Sequence, residues 1–90
     1  MQVKDITGDV AARLAKMGAR DGTVTLFVPG STAGLTTIEF EPGCVRDLHE
    51  LFERLAPKAA RYHHEEAWHD GNGHAHLRAA LLGASLAIPV

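Results

Sequence analysis

Two proline–glycine steps, Pro29-Gly30 and Pro42-Gly43, divide the middle of this chain and decide most of what it can fold into. Proline brings no backbone N–H and glycine favours turns, so each pair closes the segment before it. The first ends TVTLFV (residues 23–28) and the second ends GLTTIEF (residues 34–40), both runs of strand-forming character. Joined through PGSTAG, these two strands are expected to form an antiparallel pair.

Helical periodicity flanks them. Asp5 or Thr7 can cap a helix through DVAARLAKM, in which Ile6, Val10, Leu14 and Met17 share one face and Gly18 is the stop. VRDLHELFERLA predicts a second helix with Leu48, Leu51, Phe52 and Leu55 as its buried stripe, His49 beside that stripe at the surface, and Pro57 as its end. HLRAALLG reads as a short helix stopped at Gly83, and SLAIPV as a strand. That apolar strand has no polar tail and contains Pro89, which cannot donate to a ladder, so it is expected at a sheet edge. Either another chain covers this edge or the sequence has lost what followed.

At 90 residues the chain makes one domain, whose stability is marginal unless a metal or a partner subunit adds to it. Its 46% apolar and 22% charged residues are ordinary for a folded core. The net charge of −2, with Lys and Arg scattered, leaves no basic stripe for nucleic acid. Cys44 is the only cysteine, which excludes an internal disulfide and fits a reducing compartment. No apolar run approaches the ~20 residues that span a bilayer, and MQVKDITGD has no apolar signal region. The expectation is a soluble cytoplasmic protein that binds neither nucleic acid nor membrane.

Chemistry concentrates in RYHHEEAWHDGNGHAHLRAALLG, residues 61–83, which holds five of the six histidines. Neutral imidazole suits zinc and related metals, and a catalytic zinc typically takes three protein ligands and leaves one position open. His63, His64, His69, His74 and His76 offer the nitrogens, and Glu65, Glu66 and Asp70 offer carboxylates as ligands or as their partners. The spacing matches neither HExxH nor a zinc finger. His74 and His76 fall on one side only if the chain is extended there, and the DGNG turn can bring His64 back toward His76. The alternative is a set of solvated imidazoles, which is the expectation for His63 and His69; Tyr62 and Trp68 are expected to pack and support the loop.

PGSTAG can present backbone N–H groups and the Ser31 and Thr32 hydroxyls to an anion such as phosphate; otherwise it is a plain hairpin loop. Glu39, a carboxylate inside a strand, faces either water or a cation or functional pocket.

DIT at 5–7, VPGSTAGLTTIEFEPG at 28–43, the Tyr62 and His64 pair, and WHDGNGHAHLRAALLGASLAIPV at 68–90 together resemble the YjbQ family, also called the secondary thiamine-phosphate synthase family. DGNGHxHxRAxLLGxS looks like its archaeal and thermophile-type branch. The resemblance implies an α+β fold, a small mixed sandwich with an antiparallel sheet covered by helices, assembled as a homotrimer with a histidine-lined metal pocket. It also implies a weak transferase activity that joins a pyrimidine diphosphate to a thiazole phosphate and releases pyrophosphate.

On this basis His64, His74 and His76 are expected to bind a divalent metal, zinc or magnesium, with Glu39 as carboxylate partner or general base. Arg78 or the metal neutralises a phosphate of a small phosphorylated molecule, and the PGSTAG loop, with Ser31 and Thr32, holds another oxygen. Many members carry histidine where this chain has Gly30, and glycine is usual in the branch it resembles. Members normally continue past IPV with a strand pair and a Gly-Thr-Trp-Gln motif, and often begin with an extra strand; this chain has neither, so residues 1–90 read as one incomplete YjbQ-like domain. The rival readings are a non-catalytic protein that binds a metal or a phosphorylated ligand, and an inert fragment.

Overall fold

A computed structural model of the chain covers all 90 residues and runs α1 (Thr7–Met17), β1 (Thr23–Phe27), α2 (Pro42–Leu55), α3 (His63–Trp68), α4 (Gly73–Leu82) and β2 (Ser85–Pro89). Helices and one two-stranded antiparallel sheet make the fold α+β. No helix is long and apolar enough to cross a membrane.

Neither Asp5 nor Thr7 is the N-cap of α1, which is Ile6 and has no side-chain cap bond; Asp5, one residue before it, still takes up a first-turn donor, Thr7 N–H donating to its Oδ1 at 2.9 Å. Bonds from the Thr7 side chain and backbone hold the Asp5 carboxyl below its ordinary value. At the other end Gly18 takes φ 70° and donates to Ala15 O, while Ala19 donates to Leu14 O, a six-to-one closure that only a left-handed residue permits cheaply. The second helix begins earlier than its apolar period suggests. Pro42 occupies the first turn, where its missing N–H is no loss, and the Glu41 carboxylate accepts from Gly43 N (2.6 Å) and Cys44 N (2.8 Å).

The strand pairing differs from the sequence expectation. β1 pairs with β2, Val24 opposite Ile88 and Leu26 opposite Leu86, and residues 34–40 belong to no helix or sheet. Propensity specifies an extended backbone, not its partner. Pairing with β2 sets two alternating patterns in register, so that Val24, Leu26, Leu86 and Ile88 share the half-buried face. Segment 34–40 instead leaves along the end of α4, where Leu35 N–H donates to Gly83 O at 3.0 Å. Gly34 permits this approach, since a Cβ there would stand 2.7 Å from Leu82 Cβ. Each strand has one free side, in keeping with the edge position expected from Pro89.

Burial is sparse: Phe52, Ala56, Gly73, Arg78 and Ala79 are the buried residues. In the expected α2 stripe only Phe52 is buried; Leu48 is half-buried, and Leu51 and Leu55 face solvent. Ile6, Val10 and Leu14 of α1, the apolar face of the sheet, and Phe52 surround an open cavity of about 880 Å³ instead of meeting across it. The radius of gyration, 15.7 Å, exceeds the ~12 Å of a compact chain this long, because the two apolar layers stay apart.

Candidate functional site

The helices α3 and α4 are joined by a four-residue turn that uses left-handed backbone at His69 (φ 54°) and Gly71 (φ 68°). It folds the chain back, and the His64 and His76 rings meet edge to face with centroids 4.5 Å apart. The reversal expected from DGNG is therefore realised. Gly73 lets the helices close: its N–H donates to Glu65 Oε1 at 2.7 Å, and a Cβ there would fall 2.7 Å from Tyr62 Cβ. Tyr62 is itself fixed, its hydroxyl donating to Pro57 O at 2.5 Å. Trp68 departs from expectation: at the last position of the short helix α3 it is 71% exposed and is not a packed residue.

Around the histidine pair, His64 Nε2 lies 3.1 Å from Asp70 Oδ1. Partial burial alone would raise the Asp70 carboxyl, but the hydrogen bond and charge of His64, with the backbone N–H groups of Asn72 and Asp70, outweigh it and hold the group below its ordinary value. The Asn72 carboxamide closes the turn. With its nitrogen inward, Nδ2 can donate to Asp70 Oδ1 at 2.6 Å and lies 3.3 Å from His76 Nε2, while His64 Nε2, 2.9 Å away, is engaged with Asp70 and takes no bond from it. His76 faces the other way with its second nitrogen: Nδ1 lies 3.0 Å from Ser31 O, and a proton on Nδ1 donated there leaves a lone pair on Nε2, which lies beside the Asn72 carboxamide.

This contact ties the histidine pair to the PGSTAG loop. None of the backbone N–H groups of residues 30–34 is used by another backbone group of the chain, and Gly30 takes φ 102°, a conformation that strains any side chain and fits the glycine found there. The loop carries free amides next to His76.

The other expected site residues lie elsewhere. His74 and His76 are both in the first turns of α4, where two residues turn the helix by about 200°. An extended entry would have put them together; the helix puts His74 on the side of the large cavity, with Thr32 and Arg78. The trio His64, His74 and His76 is thus a pair plus an outlier, and no three His, Cys, Asp or Glu side chains gather as a metal group by themselves. Arg78 is 7% exposed and donates from Nε (3.0 Å) and Nη2 (2.8 Å) to Ala56 O, and from Nη2 to Glu53 at 2.9 Å. It holds the end of α2 to α4. Glu39 is exposed and has no ion pair, and the Ser31 and Thr32 side chains are exposed on the loop. His63 and His69 are solvated, as expected. Asn72 was legible only as a turn residue.

The sequence profile of the family described as UPF0047 protein YjbQ-like matches residues 1–90. A UPF0047 protein of Archaeoglobus fulgidus is 37% identical over 90 residues, covering 100% of this chain and 68% of the relative. The UPF0047 protein YugU of Bacillus subtilis is 34% identical over 83 residues, covering 90% of this chain and 60% of the relative. Among solved structures, a hypothetical protein of Aeropyrum pernix K1 matches with TM-score 0.90 at 35% identity, covering 99% of this chain and 65% of that one. A protein of unknown function from Sulfolobus solfataricus P2 also reaches 0.90, at 32% identity, over 99% of this chain and 63% of that one. Fold and relatives thus define one class of small α+β proteins. The chain belongs to the YjbQ-like UPF0047 family, and it spans 60–68% of the length of these two curated relatives.

Proposed function

We propose that His64, Asp70, Asn72 and His76 bind a divalent cation, and that the amides of residues 30–34 bind a phosphate of a small molecule beside it. The observation that carries this reading is the bond between His76 Nδ1 and Ser31 O, which joins a cluster of cation ligands to a loop of unused N–H donors. Two imidazoles favour zinc over magnesium. A bound cation would neutralise charge on an adjacent phosphate. The chain's own groups do the rest: Ser31 O fixes the tautomer of His76, Asp70 orients His64, and the loop amides hold a phosphate oxygen.

The reaction proposed for the whole protein is the one implied by the resemblance, transfer of a pyrimidine from its diphosphate to a thiazole phosphate with release of pyrophosphate. A homotrimer is proposed as the assembled form, supported by the uncovered apolar cavity walls. The position of Glu39, exposed and unpaired, favours the second reading of a protein that binds cation and phosphate without catalysis.

Calorimetric titration with pyrophosphate, with and without Zn²⁺, tests the shared part of both readings. Cation-dependent pyrophosphate binding that is lost in His76→Ala is expected. Equal binding with and without the cation, or in the variant, would overturn the proposal.

A further inference from the structure

The two open edges of the sheet are not alike. Bonds from Val28 N–H to Ala84 O (2.9 Å) and from Val90 N–H to Gly22 O (2.8 Å) bracket the ladder, in register with Val24 opposite Ile88 and Leu26 opposite Leu86. In an antiparallel pair, opposed residues that exchange bonds alternate with opposed residues that do not. The even-numbered residues of β1 therefore bond to β2, and Thr23, Thr25 and Phe27 turn their N–H and C=O groups to the open side. No backbone bond outside the ladder engages them. On β2 the open side belongs, by the same rule, to Ser85, Ala87 and Pro89, and Pro89 has no N–H to offer.

An exposed edge is a template for another strand, and proteins blunt such edges with charge, proline or a bulge. β2 is blunted by Pro89. β1 is not: TVTLF contains no charged residue, proline or glycine, and its register runs without a bulge. The strand is also complementary to itself. Laid antiparallel on a second copy with Thr25 opposite Thr25, it sets Thr23 opposite Phe27 and Val24 opposite Leu26. Val24 and Leu26 are half-buried and the other three residues exposed, so apolar side chains meet on one face. On the other face Phe27, 67% exposed, stands against Thr23, a cross-strand pair of favourable type. The nearest charges, Arg20 and Asp21, fall opposite Gly30 and Pro29 of the second copy, so no like charges meet.

From this we infer that the open edge of β1 is an interaction surface that takes β1 of a second copy of this chain, making a continuous four-stranded sheet in the order β2–β1–β1–β2. A two-stranded ribbon is marginal by itself, and the added strands widen the apolar face of Val24, Leu26, Leu86 and Ile88 to that of a stable sheet. Growth through the sheet stops there, because both outer edges of the enlarged sheet are β2 edges blunted by Pro89. The contact is made by backbone groups of the edge and uses none of the cation or phosphate ligands proposed above, so it stands or falls independently of them.

The test is analytical ultracentrifugation of the 90-residue chain over a concentration series, for the wild type, Thr25→Pro and Ala87→Pro, with amide hydrogen exchange of the wild type at both ends of the series. Proline at position 25 removes a donor from the open side of β1 and none from the β1–β2 ladder; proline at position 87 does the same to β2. Expected is an even number of chains per particle in the wild type and in Ala87→Pro: two, or six where the trimer proposed above forms as well. Thr25→Pro is expected to show half that mass. The amides of Thr23, Thr25 and Phe27 should gain protection with concentration, and those of Ser85 and Ala87 should not. One or three chains per wild-type particle, an unchanged mass in Thr25→Pro, or an equal loss in Ala87→Pro overturns the inference. If Thr25→Pro does not fold, the exchange pattern decides: exchange at Thr23, Thr25 and Phe27 that is independent of concentration overturns the inference by itself.

Discussion

Replacing Arg78 by leucine separates a structural role for this residue from a role in binding phosphate. The leucine keeps much of the buried stem but removes every donor. Ala56 O then loses both of its guanidinium bonds, at 3.0 Å and 2.8 Å, in a residue that is 1% exposed. A buried acceptor left unpaired costs about 1–3 kcal/mol. Glu53 loses its partner as well, but its side chain is 57% exposed, so that ion pair adds about 0–1 kcal/mol. The sum, about 1–4 kcal/mol, is a large part of the stability of a 90-residue chain. It corresponds to a fall in melting temperature of about 5–20 °C. Thermal denaturation followed by circular dichroism reads the loss, and pyrophosphate titration below the transition reads the site. A variant as stable as the wild type that had lost pyrophosphate binding would refute the reasoning, because the guanidinium would then serve the ligand and not the helix end.

Two further expectations follow from the α3–α4 contact. Gly73→Ala forces a Cβ to within 2.7 Å of Tyr62 Cβ and 2.8 Å of Glu65 Oε1, and Tyr62 is pinned through its hydroxyl; the small gain in helix propensity does not offset an overpacking cost of about 1–3 kcal/mol, read as a lower urea midpoint at unchanged slope. Asp70, with its carboxyl held below the ordinary value of 3.8, stabilises the fold fully above that value and loses this contribution as pH falls through its lower folded-state value. Asp70→Asn should therefore flatten the acid limb of a stability-against-pH curve, and an unchanged limb would contradict the assignment.

How much of this was legible in the sequence depended on whether the signal was local. The ends of α1 follow from Asp5 and Gly18, β1 from its β-branched run, and the return of His64 to His76 from a turn rich in glycine and asparagine. The pairing of β1 was not local. Residues 34–40 have the composition of a strand, but the choice between them and residues 85–89 is made by which apolar face matches across the chain. HHEEAW is too short for a helical period to show, and Pro42-Gly43 serves both to end an extended run and to begin a helix once Glu41 caps it.

The site divides in the same way. Histidine density and the family resemblance both pointed to the stretch in which the structure brings the His64 and His76 rings together. His74 stands apart from that pair because residues 74–76 are helical, where the sequence argument for bringing His74 and His76 together needed them extended. Arg78 looked available because sequence does not reveal the carbonyl of Ala56, 22 residues away, that engages it. Asn72 had a sufficient local explanation as a turn former, which hid its position beside His64, Asp70 and His76.

The most direct test is the zinc content per chain of untagged protein purified without a metal-affinity step, for the wild type and for a His64→Ala, His76→Ala double variant. About one zinc per wild-type chain, as for a single mononuclear site, and almost none in the double variant is expected. Zinc-free wild type after Zn²⁺ loading and desalting, or equal zinc in both proteins, would contradict a cation site at the histidine pair.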